Sequence, residues 1–180
     1  MARGAVHDPA SLDEWLRDVL AHGSGLTDAT LLCAALRGGD PQSLSDLAAA
    51  LAPSAERWRE TAEQGRALAE TLRAMGEADL PAGPLPVVLG RAARPLGLAP
   101  ERVGALFLQG FAGSLVSAGV RLVPLGQAAG QAVLAGLGPL LLDLAARAAK
   151  MEPDDIATSA FGADLDAMAH EALEVRVFRS

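Results

Sequence analysis

Residues 100–119 read PERVGALFLQGFAGSLVSAG, and this stretch decides the fold class. Pro100 is typical of the first position of a helix, and residues 103–120 contain no charged side chain at all. Small residues recur at intervals of four and would let another helix approach closely: Gly110, Ser114 and Ala118. The stretch therefore predicts a long helix that begins at Pro100, ends near Gly119 and packs through small side chains.

The composition of the rest of the chain extends this prediction to the whole protein. Ala, Leu and Gly dominate its 180 residues, Tyr is absent, and aromatic residues make up only 3%. Strand-rich proteins depend on aromatic and β-branched residues, so this composition disfavours an all-β fold. We predict an all-α protein, a single bundle of about eight to ten helices over residues 1–174, followed by a C-terminal tail at residues 175–180.

Capping signals and breakers place the individual helices. Ser11 and Glu14 form an S-x-x-E pattern that predicts a capping box, and Asp40-Pro41 predicts a cap followed by the first helical residue. Gly and Pro between residues 76 and 86 predict a turn between two layers of one bundle. The predicted helices are about 11–22, 27–37, 41–52, 53–75, 86–95, 100–119, 124–150 with a kink at Pro139, 153–158 and 163–174.

The charge distribution restricts the possible partners. The formal net charge is −7, which disfavours nonspecific binding to nucleic acid. Residues 103–120 and 122–142 are uncharged and long enough to span a bilayer. They also contain Gln, Ser and Pro and lack flanking basic clusters and aromatic belts. We therefore expect buried helices of a soluble protein without a membrane partner, with a membrane-embedded helical pair as the alternative.

No catalytic or metal-binding constellation can be assembled from the sequence. The three histidines are scattered, and Cys33 lies in an apolar helical run, as expected of a buried small hydrophobe rather than a nucleophile. Asp154-Asp155 and Asp164/Asp166 are expected to cap short helices. Charges of both signs between residues 56 and 73 indicate a solvated helix face with i,i+3 and i,i+4 pairs, or alternatively a partner-binding face.

Two segments suggest a function that the rest of the chain does not. In the first, an isolated Arg121 separates the two uncharged runs, and because burying it unpaired would be costly we expect it to reach the surface or meet an acceptor. Gln127 and Gln131 share a helical face four residues apart. The second is the basic and aromatic end of an acidic chain, which suits docking into an acidic groove of a partner: Arg176, Val177, Phe178, Arg179 and Ser180.

In this order, the two segments resemble motifs of the urease accessory protein UreF family. Residues 121–131 resemble R-L-x-P-L-G-Q-x-x-G-Q, and residues 170–180 resemble H-E-x-x-x-x-R-L-F-R-S, with Val177 in place of the usual Leu. Residues 64–68 and 85–90 also match the family's pattern. The resemblance covers nearly the whole chain. Family members usually carry an earlier segment like S-P-x-L-P-x-G-x-F-x-x-S-H-G-L-E, so we expect that a piece ahead of residue 1 is missing.

The resemblance implies a cytoplasmic scaffold without enzymatic activity that helps to load nickel into apo-urease. It implies binding to UreD (also called UreH), recruitment of the GTPase UreG with modulation of that GTPase, and a homodimer within the complex. No cofactor is expected to bind stably, since nickel is handled by the complex. Residues 176–180 would dock on UreD, and a second set would lie at a dimer or UreG contact: Arg121, Pro124, Leu125, Gly126, Gln127 and Gln131. The alternative is a small α-helical metal-binding protein or enzyme of unknown substrate.

Overall fold

The computed structural model describes residues 6–76 and 80–158, in which the chain forms eight α-helices, two single-turn 3-10 helices and no strand. The predicted all-α class is therefore confirmed. The α-helices are α1 (Pro9–His22), α2 (Ser24–Arg37), α3 (Pro41–Leu51), α4 (Ala55–Ala74), α5 (Leu85–Ala93), α6 (Pro100–Leu122), α7 (Gln127–Gly136) and α8 (Gly138–Ala148). The 3-10 helices span Arg94–Leu96 and Pro153–Asp155.

The first helix is capped by Asp8, so the predicted box of Ser11 with Glu14 is wrong. An Asp8 carboxylate oxygen accepts a hydrogen bond from the backbone N–H of Ser11 at 2.8 Å, and the Ser11 hydroxyl accepts one from the Asp8 N–H at 3.1 Å. Pro9 follows at the first helical position, where its missing N–H costs nothing. Hydrogen bonds from the Ser11 backbone N–H and from its hydroxyl lower the pKa of the Asp8 carboxyl.

Helix α2 forms the centre of the bundle. Every residue from Gly25 to Ala35 is buried, and α2 contacts α1, α3, α5, α6 and α8. It begins at Ser24, three residues before the predicted start at Thr27, because Gly23 alone separates it from α1. The Thr27 hydroxyl donates a hydrogen bond to the Gly23 carbonyl at 3.1 Å. It ends as predicted at Gly38, which has a positive φ of 105°.

Helices α4 and α5 pack against each other as an outer layer over α2. Gly65 and Gly90 make both contacts possible, because a Cβ at Gly65 would collide with the Gly83 carbonyl and a Cβ at Gly90 with the Leu32 carbonyl. The Leu85 N–H donates to the Thr61 hydroxyl at 3.3 Å, which fixes the start of α5 on α4. The described part of the segment before α5 therefore belongs to a connection between two packed helices.

The last third of the described chain differs in detail from its prediction. Helix α6 continues three residues past Gly119, and the predicted helix from Pro124 to Lys150 is instead α7 and α8, which meet at a bend of 44°. The bend lies just before Pro139, the predicted kink, because a proline in an ongoing helix cannot donate its hydrogen bond. Arg37 of α2 closes this end, donating to the Ala149 carbonyl at 2.6 Å.

The uncharged helices are less buried than the sequence predicted. Helix α6 packs on α1, α2, α7 and α8. Only 33% of its most apolar stretch is buried, however, and the side chains of Leu106 and Leu122 are 65% and 50% exposed. Two of the described helical stretches are long and apolar enough to cross a membrane: Pro9–Arg37 and Pro100–Leu122. The bent pair α7–α8 would be a third if it formed a single span. The expectation of buried helices is thus wrong for one side of α6, since no described element covers it.

Candidate partner-binding surfaces

The turn between α6 and α7 brings the predicted junction residues to the surface. Arg121 is exposed in the last turn of α6, in agreement with the cost of burying an unpaired guanidinium. Gln127 and Gln131 are exposed on α7, which places both amides on one outward face. Pro124 and Gly126 are also exposed, and Leu125 is half-buried.

The geometry of this turn follows from its proline and its glycine. Val123, which precedes Pro124, is extended at φ −120° and ψ 133°, as expected of a residue before proline, and therefore ends α6. Gly126 has a positive φ of 74°, a conformation that side chains rarely adopt, and it precedes the first residue of α7. The prediction that Pro124 is the first helical residue is therefore wrong.

A further glycine holds α7 against α6. A Cβ at Gly130 would lie 2.5 Å from a methyl carbon of Val120 and 3.2 Å from one of Val116, so only a glycine permits this approach. The opposite side of α7 is solvent-exposed and consists of small and uncharged residues. Leu122, next to Arg121 at the end of α6, is 50% exposed, so this turn presents an apolar side chain beside a charged one.

A second open surface lies on the other side of α6. We call it the α6 groove: a cavity of about 680 Å³ between α6 and the helices α1, α2, α4 and α5. The rings of Phe107 and Phe111 stack in it with centroids 6.3 Å apart, and the Arg57 guanidinium lies 5.9 Å from the Phe111 centroid. Its apolar side chains include Trp15, Leu85, Leu89, Leu106 and Leu115.

An ion pair lies at the inner side of the α6 groove. Arg57 of α4 donates to the Asp28 carboxylate of α2 at 2.6 Å, with 22% and 13% of the two side chains exposed. Burial raises the pKa of Asp28, while the charge and hydrogen bond of Arg57 oppose that rise. Arg57 also contacts Glu60 at 3.3 Å. The pair joins α2 to α4, which otherwise packs mainly on α5.

The contact of Arg57 with α2 was not predicted from the sequence, in which Arg57 belongs to the mixed charges of α4. The contact with Glu60 is the predicted i,i+3 pair, but the contact with Asp28 spans 29 residues of sequence. The available signal was Asp28 itself, a lone carboxylate within the apolar run from Gly25 to Ala35, which required a positively charged partner from elsewhere.

The described residues offer no assembled catalytic or metal chemistry. Cys33 is fully buried, and burial raises the pKa of its thiol to about 11, so it is the predicted small hydrophobe rather than a nucleophile. Within residues 6–76 and 80–158, no three His, Cys, Asp or Glu side chains are grouped so that they could hold a metal ion. Asp154 and Asp155 lie in the first turn of a 3-10 helix, but its N-cap is Glu152 and no side chain makes a capping hydrogen bond, so the prediction that the two aspartates cap a helix is wrong.

Comparison with known proteins identifies the family. A model of the UreF family matches residues 6–138. The urease accessory protein UreF of Cereibacter sphaeroides (strain KD131 / KCTC 12085) is 56% identical over all 180 residues, which cover 86% of its length. The chain belongs to the UreF family. UreF of Jannaschia sp. (strain CCS1) is 52% identical and UreF of Paracoccus denitrificans (strain Pd 1222) 49%, each over the whole chain and over 82% and 84% of the relative.

Membership of the UreF family gives the open surfaces their context. UreF proteins are urease accessory proteins, so the chain is an accessory protein rather than an enzyme and works with other components of urease maturation. The region that matches the family includes the α6–α7 turn and the α6 groove. The predicted docking tail at residues 176–180 and the predicted helix at 163–174 lie outside the described residues.

Proposed function

We propose that this member of the UreF family is a cytoplasmic, non-enzymatic scaffold of urease maturation. In this proposal it binds UreD through its C-terminal tail, and the pair recruits and modulates the GTPase UreG, so that nickel is inserted into apo-urease. Nickel is the cargo of that complex and no cofactor stays bound to this chain. The observation that carries the proposal is 56% identity along the full chain to a urease accessory protein UreF.

Two properties of the described structure support a scaffold role. Contiguous exposed apolar surface is typical of protein-binding sites, and apolar side chains are exposed here on two sides of α6, at the α6–α7 turn and in the α6 groove. The turn also presents Arg121 with Gln127 and Gln131 on α7, and Arg is enriched where proteins contact one another. We assign this turn to a contact with UreG or with a second copy of the chain.

The tail is tested by deleting residues 175–180. The shortened chain is expected to lose capture by UreD while the circular-dichroism signal of its helices stays unchanged. A matched control exchanges Arg176 and Arg179 for Lys, which keeps the charge and removes the forked guanidinium donors. Capture of the deleted chain at the level of the full chain would overturn the assignment of the tail.

The α6–α7 turn is tested with Arg121→Ala, and Arg102→Ala is the control. Both arginines are exposed on α6, one in its last turn and one near its start. We expect Arg121→Ala to impair assembly with UreD and UreG and activation of urease, with thermal unfolding unchanged, and Arg102→Ala to do neither. Equal effects of the two substitutions on assembly would remove Arg121 from the proposed contact.

The competing function, a metal-binding protein, has its own measurement. Equilibrium dialysis of the isolated chain against nickel is expected to show no tight, stoichiometric binding. The reason is that nickel prefers imidazole ligands and the three histidines are dispersed in sequence. Binding of about one nickel ion per chain, with a dissociation constant in the low micromolar range or below, would favour the metal-binding function over the scaffold.

A further inference from the structure

Helix α3 is attached to the bundle by a small contact. Of its eleven residues only Leu44 is buried, and Leu47 and Ala48 are half-buried. These side chains pack on one cluster of α2 and α5: Leu31, Ala34, Ala35 and Val87. Helix α5, by contrast, buries five of its nine residues. Because elements with few buried apolar side chains open locally at a low free energy, α3 can detach while its neighbours stay in place.

Open space lies on both sides of α3. On the inner side is a cavity of about 210 Å³ between α2, α3 and α4, which we call the inner cavity. Its lining includes polar side chains of α2 and α4: Ser24, Thr27, Asp28, Arg57 and Thr61. On the outer side, a cleft of about 720 Å³ runs between α3 and α4 and is lined by both helices. A movement of α3 therefore breaks no close-packed contact with α4.

The connections and hydrogen bonds of α3 do not fix its position either. Residues 38–40 join it to α2 and include two glycines, and residues 52–54 join it to α4. Short connections with small residues are typical of hinges. The side-chain hydrogen bonds of α3 lie within the helix and its cap: Ser43 to Asp40 at 2.8 Å, Gln42 to Asp46 at 2.8 Å and Ser45 to Pro41 at 2.7 Å. None of these three bonds reaches another helix, so a movement of α3 breaks none of them.

We propose that α3 is a hinged lid, which opens about residues 38–40 and 52–54 while the other described helices stay folded. In the closed state Ala48 and Leu51 of α3 cover the inner cavity. In the open state the inner cavity joins the outer cleft, and water reaches the Asp28–Arg57 pair that joins α4 to α2. The lid thus makes the attachment of α4 depend on the position of α3. This inference concerns the isolated chain and does not depend on the proposed role in urease maturation.

Amide hydrogen exchange of the unmodified chain tests the opening, with α5 as the matched control because it is a similarly short helix. A detached helix of this length is marginal in water, so the α3 amides exchange each time the lid opens. We expect exchange in α3 to be faster than in α5 by about tenfold or more. Low concentrations of urea should leave the α3 rates unchanged, since a local opening exposes little surface. Equal rates in the two helices, or α3 exchange that rises with urea in parallel with global unfolding, would overturn the proposal.

A disulfide clamp gives an independent readout. A Cβ at Gly83 would lie 3.1 Å from the Ser45 hydroxyl oxygen, so the Ser45→Cys/Gly83→Cys double variant brings two thiols within reach of a disulfide. Gly83 itself lies against Gly65 of α4, and the native Cys33 is buried and does not compete. We expect the oxidised form to slow exchange in α3 by about tenfold or more relative to the reduced form of the same chain, with α5 unchanged. A disulfide that leaves α3 exchange as it was, or two thiols that do not join, would contradict a lid that closes on this connection.

Discussion

Arg57 of α4 and Asp28 of α2 form a hydrogen-bonded ion pair of 2.6 Å between two helices that are far apart in sequence. Asp28 would be an uncompensated charge among buried side chains without this guanidinium. Arg57 itself lies against the Phe111 ring of α6, so one side chain contacts three helices. The pair thus fixes the position of α4 next to the α6 groove.

Replacing the arginine alone should therefore lower the free energy of unfolding more than replacing both charged residues. We expect Arg57→Met to lower the free energy of unfolding by about 3 kcal/mol, because it leaves the Asp28 carboxylate buried without a partner. The Asp28→Asn/Arg57→Met double variant should lose less than Arg57→Met alone. Urea unfolding of the four proteins in a double-mutant cycle measures this difference. If the double variant is less stable than Arg57→Met, the buried charge is not the source of the loss.

The pH dependence of stability should carry the signature of Asp28. Burial raises the pKa of Asp28 in the folded chain above the ordinary value of 3.8, so the folded state binds a proton there more tightly than the unfolded state does. The contribution of Asp28 to stability therefore increases as the pH falls through the folded pKa towards 3.8. Relative to Asp28→Asn, the wild-type chain should gain stability as the pH is lowered towards 3.8.

Other carboxylates act at lower pH and in the opposite direction. Hydrogen bonds from Ser11 and Ser43 lower the folded pKa values of Asp8 and Asp40, so their stabilisation is present above 3.8 and is lost only as the pH falls below it. Urea unfolding above about pH 4 separates the two effects. A constant difference between wild type and Asp28→Asn across that range would show that the Asp28 pKa is not raised.

Local signals explain which parts of the fold were predictable from the sequence. Asp40 before Pro41, and Gly38 after α2, act on adjacent backbone groups, so a single sequence contains all the information needed. The exposure of Arg121 was predictable for a similar reason, since the cost of burying it depends on the residue alone. The start of α1 was misjudged because Asp8 and Ser11 both suit a cap, and only geometry decides between them.

Long-range packing explains what the sequence did not reveal. Arg57 looks like its neighbours on α4, and nothing local indicates that Asp28, 29 residues earlier, is its partner. The uncharged helix α6 was expected to be buried, but the groove that leaves Phe107 and Phe111 partly exposed depends on how α4 and α5 are placed beside α6. Open surfaces of this kind follow from the arrangement of helices rather than from any one helix.

The thiol of Cys33 should be inert in the folded chain. It is fully buried and its pKa is raised to about 11, so the thiolate is scarce and shielded from reagents at neutral pH. Dithionitrobenzoate absorbance should show less than a tenth of one thiol per native chain near neutral pH, and one thiol per chain in denaturant. Rapid stoichiometric labelling of the native chain would contradict the buried position of Cys33 between α2 and α6.

Two helical glycines should respond in opposite ways to the same substitution. In Gly90→Ala the new methyl would collide with the Leu32 carbonyl and with Ala35, and because both belong to the central helix α2 neither yields easily. We expect the free energy of unfolding to fall by about 2 kcal/mol or more, since overpacking of a tight contact typically costs about 1–3 kcal/mol. In Gly110→Ala the methyl meets nothing within 4 Å, and alanine restricts the unfolded chain, so stability should rise by about 0.5–1 kcal/mol.

Urea unfolding measures both variants against the wild type, and the pair controls for the change of residue type. Gly90 lies where α5 packs on α2, the most extensive helix pair among the described residues, whereas Gly110 faces the open α6 groove. Equal effects of the two substitutions would mean that helix propensity alone governs them and that the close approach of α5 to α2 is not required. A loss confined to Gly90→Ala would establish that approach as the contact that holds the outer layer on α2.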